Sequence, residues 1–188
     1  MKGKILKISA LVAILGMSFN AFADTYNNIT LKVGQFNLGD TSQVIQSAVT
    51  FEEKSTSVFA IEYEHKLRNN ITFGGEIINY KNTFNSGADS ASAFHIFANF
   101  KKYFDVAAHV YPFIGVGAGG SSVRLSGPNS SGTAGGLGVQ FMGGIKFPFE
   151  EVSVVIEYKV ISAEPADLVG STVDLSGTGL FAGLAINF

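Results

Sequence analysis

Apolar residues recur at every second position along most of the chain after its first 26 residues. The clearest segment has Leu137, Val139 and Phe141 at one parity and Gly138 and Gln140 at the other. Since successive side chains of a β-strand point to opposite faces, this period predicts strands with one apolar face and one polar or small face. Eight such segments follow one another, at residues 27–38, 58–67, 71–80, 91–101, 109–119, 137–147, 152–160 and 179–188.

The lengths of the segments and of their connections favour a barrel that crosses a membrane. Each segment has about ten residues, as a tilted strand needs to cross the hydrocarbon core, and their even number fits a bacterial single-chain barrel. Short connections alternate with long ones, as expected for the two sides of an outer membrane. The predicted fold is therefore all-β, an eight-stranded antiparallel transmembrane β-barrel of up-and-down topology. The short connections are 68–70, 103–108 and 148–151, and the long ones are 39–57, 81–90, 120–135 and 161–178.

The first segment is less regular than the others. Ile29 and Val33 have one parity, whereas Phe36 and Leu38 have the other. A β-bulge inserts one extra residue into a strand and so shifts the parity of everything that follows it. We therefore expect a bulge near Gly34.

The N-terminus has the features of a secretory signal peptide. Three lysines lie within the first seven residues, an apolar stretch covers 8–17, and Ala21-Phe22-Ala23 matches the small-x-small cleavage pattern. We predict cleavage after Ala23, which leaves 24–188 as the barrel domain. A retained membrane anchor is disfavoured because the apolar stretch is shorter than the ~20 residues of a spanning helix. A mature chain that starts in the periplasm places its four long loops outside the cell.

Composition excludes several classes of function. The chain has 13 basic and 15 acidic side chains, and loss of the three N-terminal lysines brings the net charge near −5. This charge argues against a nucleic-acid partner, which requires a basic face. The chain has no Cys, so neither disulfides nor Cys-based metal sites can form. Only 15% of the residues are charged, against roughly 25% in ordinary soluble domains.

Alternation alone does not decide which face of a barrel meets water, since a soluble barrel would hold its apolar face inward. Two further features favour lipid around this chain. The less apolar face is rich in Gly and small residues, whereas a soluble exterior would carry more Lys and Glu. Aromatic residues also gather near the short connections, where we expect a ring at the membrane interface. The members of this expected ring are Phe73, Phe100, Tyr103, Phe104, Tyr111, Phe113, Phe147, Phe149 and Phe188.

Three stretches of the sequence resemble the outer-membrane-protein β-barrel family, which includes opacity-type surface proteins and OmpA/OmpX-like barrels. They are Tyr-Pro-Phe-Ile-Gly-Val-Gly-Ala-Gly at 111–119, the segment from 152 that ends in Ile-Glu-Tyr, and the closing Gly-Leu-Ala-Ile-Asn-Phe. The resemblance implies location in the cell outer membrane, among its lipid and lipopolysaccharide. It also implies that the barrel-assembly machinery reads the terminal Phe188. Surface roles follow from it, such as adhesion, binding of a host or surface ligand through the loops, or envelope integrity.

The interior of an eight-stranded barrel is only wide enough to be filled by its own side chains. We expect a network of paired charges there, because an unpaired charge in so narrow a space would cost several kcal/mol. Its structural role is to fill the lumen, and the alternative is a narrow, gated ion path. The candidate residues of this network are Lys32, Glu62, Glu64, Lys66, Glu76, His95, Lys101, Lys146, Glu157 and Lys159.

No catalytic, metal-binding or cofactor-binding residues are predicted. None of His65, His95 and His109 belongs to a His-x-Ser pair like that of the lipid A deacylases. The acidic pairs at 52–53 and 150–151 are typical of solvated turns, and no helix follows the Gly-x-Gly-x-Gly run at 115–119 that could hold a phosphate. We expect a non-enzymatic protein. The alternatives are a small porin-like diffusion channel, a lipid A-modifying barrel enzyme and a soluble periplasmic β-protein.

Overall fold

The computed structural model describes residues 27–38, 55–83, 90–107, 109–126, 131–164, 166–168, 171–173 and 175–188. The predicted signal peptide and most of the first long loop lie outside these residues, and both stay predictions. Among the described residues, no helix has the length and apolar character needed to cross a membrane.

Of the ten strands in the described residues, eight form a closed antiparallel barrel in which each strand pairs with the barrel strands before and after it. The last strand pairs with the first and so closes the barrel. The two remaining strands, β8 and β9, form a small hairpin between β7 and β10. The predicted fold is confirmed. The strands are β1 Asn27–Leu38, β2 Ser55–Lys66, β3 Ile71–Thr83, β4 Ser90–Tyr103, β5 Tyr111–Ser126, β6 Ser131–Phe149, β7 Val152–Ala163, β8 Ala166–Leu168, β9 Ser171–Val173 and β10 Gly177–Asn187.

The two ends of the barrel differ, and we name them by their connections. The turn end carries the connections 67–70, 104–110 and 150–151 together with the start of β1 and the end of β10. The loop end carries the connections that follow β1, β3, β5 and β7. Between the two ends, buried and exposed side chains alternate along each strand. In β7, for example, Ser153 and Glu157 are buried while Val152 and Ile156 are exposed.

The expected bulge near Gly34 is wrong. Strand β1 pairs residue for residue with both neighbours, and Gly34 lies opposite Phe181 on one side and Val58 on the other. Phe36 has the other parity from Ile29 because its side chain points into the barrel, where it is fully buried.

The expected long loop at 120–135 is also wrong in extent. Strands β5 and β6 stay paired up to Ser126 and Ser131, so the connection itself covers only 127–130. The Gly- and Ser-rich composition of 120–135 is typical of loops, but small side chains do not prevent two β-strands from pairing. At the other end of β5, the strand begins at Tyr111, and His109 lies in the preceding turn with a φ of 64°.

The expected aromatic ring at the turn end is only partly right. Tyr103 and Phe113 point into the barrel and are buried, where their rings pack at a centroid distance of 5.1 Å. Tyr111 and Phe147 are partly buried. The members of the ring that are exposed on the outer wall are Phe73, Phe100, Phe104, Phe149 and Phe188.

Candidate functional site

The outer wall of the barrel is apolar. Large side chains with outward parity are exposed on every strand of the barrel, for example Val33 (62%), Phe141 (59%) and Leu184 (58%). Exposed apolar patches of more than a few hundred Å² on a soluble protein mark a contact with another molecule or with a membrane. This wall surrounds the barrel, and its chemistry suits hydrocarbon.

The middle of the lumen holds a cluster of ion pairs that we call the central cluster: Lys32, Glu62, Glu64, Glu76, Lys101, Glu157 and Lys159. Lys32 is its hub, because Nζ lies 2.6 Å from an oxygen of Glu62, 3.0 Å from Glu76 and 2.9 Å from Glu157. All four of these side chains are at most 1% exposed. The two acids Glu62 and Glu76 face each other directly across β2 and β3. Their like charges would repel one another, and the Lys32 ammonium that contacts both offsets this repulsion.

The other two lysines of the central cluster complete its pairing. Lys101 Nζ lies 2.7 Å from Glu62, 2.8 Å from Glu64 and 3.0 Å from Glu157. Lys159 contacts Glu76 and lies 2.8 Å from Glu157. Each acid therefore contacts at least one ammonium, and the pairs join strands β1, β2, β3, β4 and β7.

Uncharged polar residues complete the cluster. Asn99 donates hydrogen bonds to Glu62 and Glu76, and Gln140 donates to Glu76 and Asn99. Tyr103 donates its hydroxyl hydrogen to Glu64, with an O–O distance of 2.9 Å. These partners are not among the residues predicted for the lumen, although each has the inward parity of its strand. That parity was the available signal.

Aromatic side chains fill the lumen between the central cluster and the loop end, and we call them the aromatic layer: Phe36, Tyr80, His95, Phe97 and Phe181. The Tyr80 and His95 rings stack at 5.5 Å, and His95 stacks on Phe97 at 5.9 Å. These five side chains are at most 4% exposed. The aromatic layer therefore closes the lumen towards the loop end.

His95 belongs to the aromatic layer and has no hydrogen bond to a glutamate among the contacts of the described residues. Its Nδ1 lies 2.7 Å from Ser121 Oγ, and its Nε2 lies 3.3 Å from the Tyr80 hydroxyl. A serine beside a histidine is the beginning of a nucleophile–base pair. Both side chains, however, are enclosed within the lumen, with exposures of 0% for His95 and 4% for Ser121.

The remaining candidate residues lie at the turn end. Lys146 is buried and donates to Asn187 Oδ1 at 3.2 Å, while Lys66 is half-buried. Both line a cavity at this end, together with Tyr103. Phe188 is exposed on the outer wall, and its backbone exchanges two hydrogen bonds with Asn27.

The described part of the chain has no group of three or more His, Asp or Glu side chains arranged to hold a metal ion. Of the other two histidines, His65 lies 2.8 Å from the Asn27 side-chain oxygen, and His109 is exposed in its turn. The geometry thus defines a class of protein: a closed eight-stranded barrel with an apolar outer wall and an ion-paired interior.

No protein-family model matches the sequence, and no curated protein matches it. Solved structures do match. Neisserial surface protein A (NspA) is 14% identical with a TM-score of 0.67, and the match covers 87% of this chain and 97% of that one. Ail, the attachment invasion locus protein of Yersinia pestis, is 14% identical with a TM-score of 0.56 and coverages of 87% and 98%. The N-terminal β-barrel domain of Pseudomonas aeruginosa OprF is 9% identical with a TM-score of 0.57 and coverages of 86% and 97%. These likenesses show that the chain has the fold of the small outer-membrane barrels.

Proposed function

We propose that this chain is a non-enzymatic outer-membrane barrel that acts in surface interaction or envelope integrity through the connections at its loop end. The observation that carries the proposal is the combination of an apolar outer wall with a lumen filled by paired charges and aromatic rings. Such a barrel is a rigid scaffold in lipid, and loops on a rigid scaffold commonly carry recognition. Two proteins with this fold are described as a surface protein and an attachment invasion locus protein.

Location in the outer membrane is tested by fractionation and by folding. We expect the protein in the outer-membrane fraction, cleaved after Ala23, and we expect it to need detergent or lipid to fold. A folded barrel of this kind migrates differently on a gel before and after heating. Recovery of a stable, monomeric, water-soluble protein would contradict this part of the proposal.

The filled lumen is tested by the conductance of the folded protein in a planar bilayer. Because the central cluster and the aromatic layer occupy the lumen, we expect no stable single-channel steps. Reproducible steps in the folded protein, and none in a heat-unfolded control, would instead favour the small diffusion channel.

The surface role is tested with cells that carry the protein. We expect the parent protein to increase attachment to host cells or matrix, or to maintain resistance of the envelope to detergents. Replacing residues 40–53 or 85–88 with short Gly-Ser connections should remove one of these effects while the heat-dependent gel shift stays unchanged. Full activity in both assays after both replacements would contradict a role for these connections.

One contact favours a second candidate function, that of a lipid-modifying enzyme. Ser121 Oγ lies 2.7 Å from His95 Nδ1, as a nucleophile lies beside its base. The discriminating assay is deacylation of lipopolysaccharide by the folded parent protein and by Ser121→Ala. We expect neither to release acyl chains, because the pair is enclosed within the lumen. Release by the parent protein and not by the variant would establish the enzyme.

A further inference from the structure

The outer wall of the barrel ends, towards the loop end, in a row of polar side chains on four adjacent strands. Lys81 on β3 lies opposite Ser92 on β4. Ser92 lies opposite Arg124 on β5, which in turn lies opposite Thr133 on β6. All four residues have the outward parity of their strands, and Lys81, Arg124 and Thr133 are exposed. We call these four residues the polar row.

The polar row lies at the height where the hydrocarbon of a membrane around the barrel would end. The outward side chains of β4 between Ser92 and Lys102 are all apolar, namely Phe94, Ile96, Ala98 and Phe100. The distance along the strand from Ser92 to Lys102 is about 34 Å, which corresponds to about 26 Å of height at a typical tilt of about 40°. The outward apolar band of outer-membrane barrels is about 25 Å tall. The polar row therefore lies at one boundary of this band, where the phosphate groups of lipids lie.

The two cations of the polar row differ from the lysines of the lumen. Within the part of the chain that the structure describes, neither the Lys81 ammonium nor the Arg124 guanidinium makes an ion pair or a hydrogen bond. The two residues lie two strands apart, which is about 10 Å across the sheet. Ser92 and Thr133 place a hydroxyl group on each side of Arg124. Cations with hydroxyl groups beside them are suitable donors for the oxygens of a phosphate.

The positive charge is confined to one side of the barrel. On β1, β2, β7 and β10, the described outward side chains nearest the loop end are uncharged, namely Gln35, Asn37, Ser57, Ser162 and Thr178. Glu164 follows β7 as an exposed acid, and its carboxylate accepts a hydrogen bond from the backbone N–H of Leu137 at 3.1 Å. An anion at this height is therefore attracted to β3, β4 and β5 and not to the opposite side.

A shallow groove in the outer wall lies next to the polar row, between β5, β6 and β7. Its volume is about 670 Å³, and its lining includes the small residues Ala118, Gly119 and Gly138. These residues leave the wall recessed beside the larger Leu137, which also lines the groove. Thr133 of the polar row lies about 14 Å beyond Leu137 along β6. An acyl chain in the groove would therefore have its headgroup at the polar row.

We propose that the polar row and the groove together bind one phosphorylated glycolipid of the outer leaflet, the lipid A part of lipopolysaccharide. Its two phosphates accept charge-assisted hydrogen bonds from Lys81 and Arg124, and one acyl chain lies in the groove. A phospholipid with a single phosphate would engage only one of the two cations, which are about 10 Å apart. The inference rests on the proposed location in the outer membrane with the loop end outside, and it assigns a lipid partner to one side of the wall.

The test is titration of the folded protein in uncharged detergent micelles, with native mass spectrometry to count the lipids that stay bound. The probes are lipid A with two phosphates, the same lipid A without phosphate, and phosphatidylglycerol. We expect one molecule of the bisphosphorylated lipid to bind per barrel. The phosphate-free lipid should bind at least about tenfold more weakly, because it cannot accept the charge-assisted hydrogen bonds. Phosphatidylglycerol should also bind more weakly, since it has one phosphate.

Charge variants locate the phosphates. Lys81→Gln and Arg124→Gln should each weaken binding of the bisphosphorylated lipid by about tenfold, and neither should change binding of the phosphate-free lipid. Lys102→Gln removes an outward lysine from the turn end of the same wall and should leave the affinity unchanged. Lys81 and Arg124 are both exposed, so we expect their variants to fold, which the heat-dependent gel shift reports.

A pair of alanine variants locates the acyl chain. Ala118→Phe places a ring in the groove and should weaken binding of lipid A with and without phosphate. Ala98 lies directly opposite Ala118 on β4 and has the same outward parity. Ala98→Phe therefore adds the same ring at a neighbouring position of the wall, and it should leave the affinity unchanged.

Three results would overturn the lipid site: equal affinity for lipid A with and without phosphate, parent affinity in both charge variants, or binding of phosphatidylglycerol as tight as that of the bisphosphorylated lipid. Parent affinity in Ala118→Phe would overturn the placement of the acyl chain. Each of these results leaves the fractionation, conductance and cell-attachment assays of the proposed function unaffected. A failure of the lipid site is therefore distinguishable from a failure of the proposed function.

Discussion

Lys32→Met is the substitution that most directly tests the central cluster. Lys32 Nζ contacts three carboxylates at 2.6–3.0 Å, and the side chain is 1% exposed. Methionine occupies a similar volume without a charge, so the change removes the ammonium and leaves the packing largely intact. The central cluster has three lysines and four glutamates, and its formal charge falls from −1 to −2.

Loss of one partner from a buried ion pair typically costs about 3–5 kcal/mol, because the remaining charge stays buried without compensation. Glu62 and Glu76 face each other across β2 and β3. Their mutual repulsion in the absence of the Lys32 ammonium adds to this loss and moves it towards the upper half of the range. The expected loss is therefore about 3–5 kcal/mol in the free energy of unfolding, a factor of more than about 100 in the equilibrium constant.

The assay is urea unfolding of the protein in lipid vesicles, followed by far-ultraviolet circular dichroism and by the heat-dependent gel shift. The chain has no Trp, so tryptophan fluorescence is not an option. Lys81→Met removes an exposed lysine and should change stability by less than about 0.5 kcal/mol. Adding Glu157→Gln to Lys32→Met restores the charge of −1, and we expect it to recover at least about 1 kcal/mol.

Two outcomes would refute this reasoning. The first is a Lys32→Met protein whose stability lies within about 0.5 kcal/mol of the Lys81→Met control, which would mean that the lumen does not hold these charges in a dry, paired state. The second is a large loss that Glu157→Gln deepens, which would trace the loss to packing and not to charge.

Three further substitutions, two of them with a matched comparison variant, test other parts of the barrel in the same assay. Ile156→Arg, in the outer wall, should lower the free energy of unfolding by about 2–4 kcal/mol, whereas Val152→Arg near the turn end should lower it by about 0–1 kcal/mol. Equal losses for the two variants would argue against lipid around the wall. Gly74→Ala would place its Cβ 1.9 Å from a carbonyl oxygen of β2 and should cost about 1–3 kcal/mol. Gly75→Ala, whose nearest neighbour would lie at 3.8 Å, should be nearly neutral, and similar costs for the two would contradict the register of β2 and β3. Tyr103→Phe removes the hydroxyl that donates a hydrogen bond to the buried Glu64 carboxylate and should cost about 1–3 kcal/mol. An unchanged stability would mean that this hydrogen bond does not stabilise the barrel.

Most of the fold prediction depends on side-chain parity. The errors in the expected aromatic ring occur where residue type was weighted above parity. Tyr103 has the parity of Asn99 and Lys101, which point inward. Phe113 likewise has the parity of the Gly-rich face of β5. The expected interfacial ring includes both because aromatic residues near turns are typical of such rings. Applied strictly, the alternation would have placed both inside the barrel.

Pairing between strands explains what alternation within one strand could not predict. The extension of β5 and β6 to Ser126 and Ser131 depends on each strand having the other as partner, whereas the Gly and Ser content alone favours a loop. The position of Lys66 and Lys146 beside the cavity at the turn end likewise depends on their height in the barrel. That height is fixed by the register between strands, which one segment of sequence does not encode.

The central cluster also shows why closure of the barrel and neutralisation of its charges must coincide. Lys32 on β1 pairs with Glu157 on β7 and with Glu76 on β3, and neither strand is a neighbour of β1 in the sheet. In an open sheet these groups are held apart, and each exposes its charge to water. Once β10 pairs with β1, the same side chains meet in a space too narrow for bulk water, where they are stable only as pairs. The alternating charges on inward faces are thus a requirement for closing the barrel in one register, since a shift by one residue would turn them towards the outer wall.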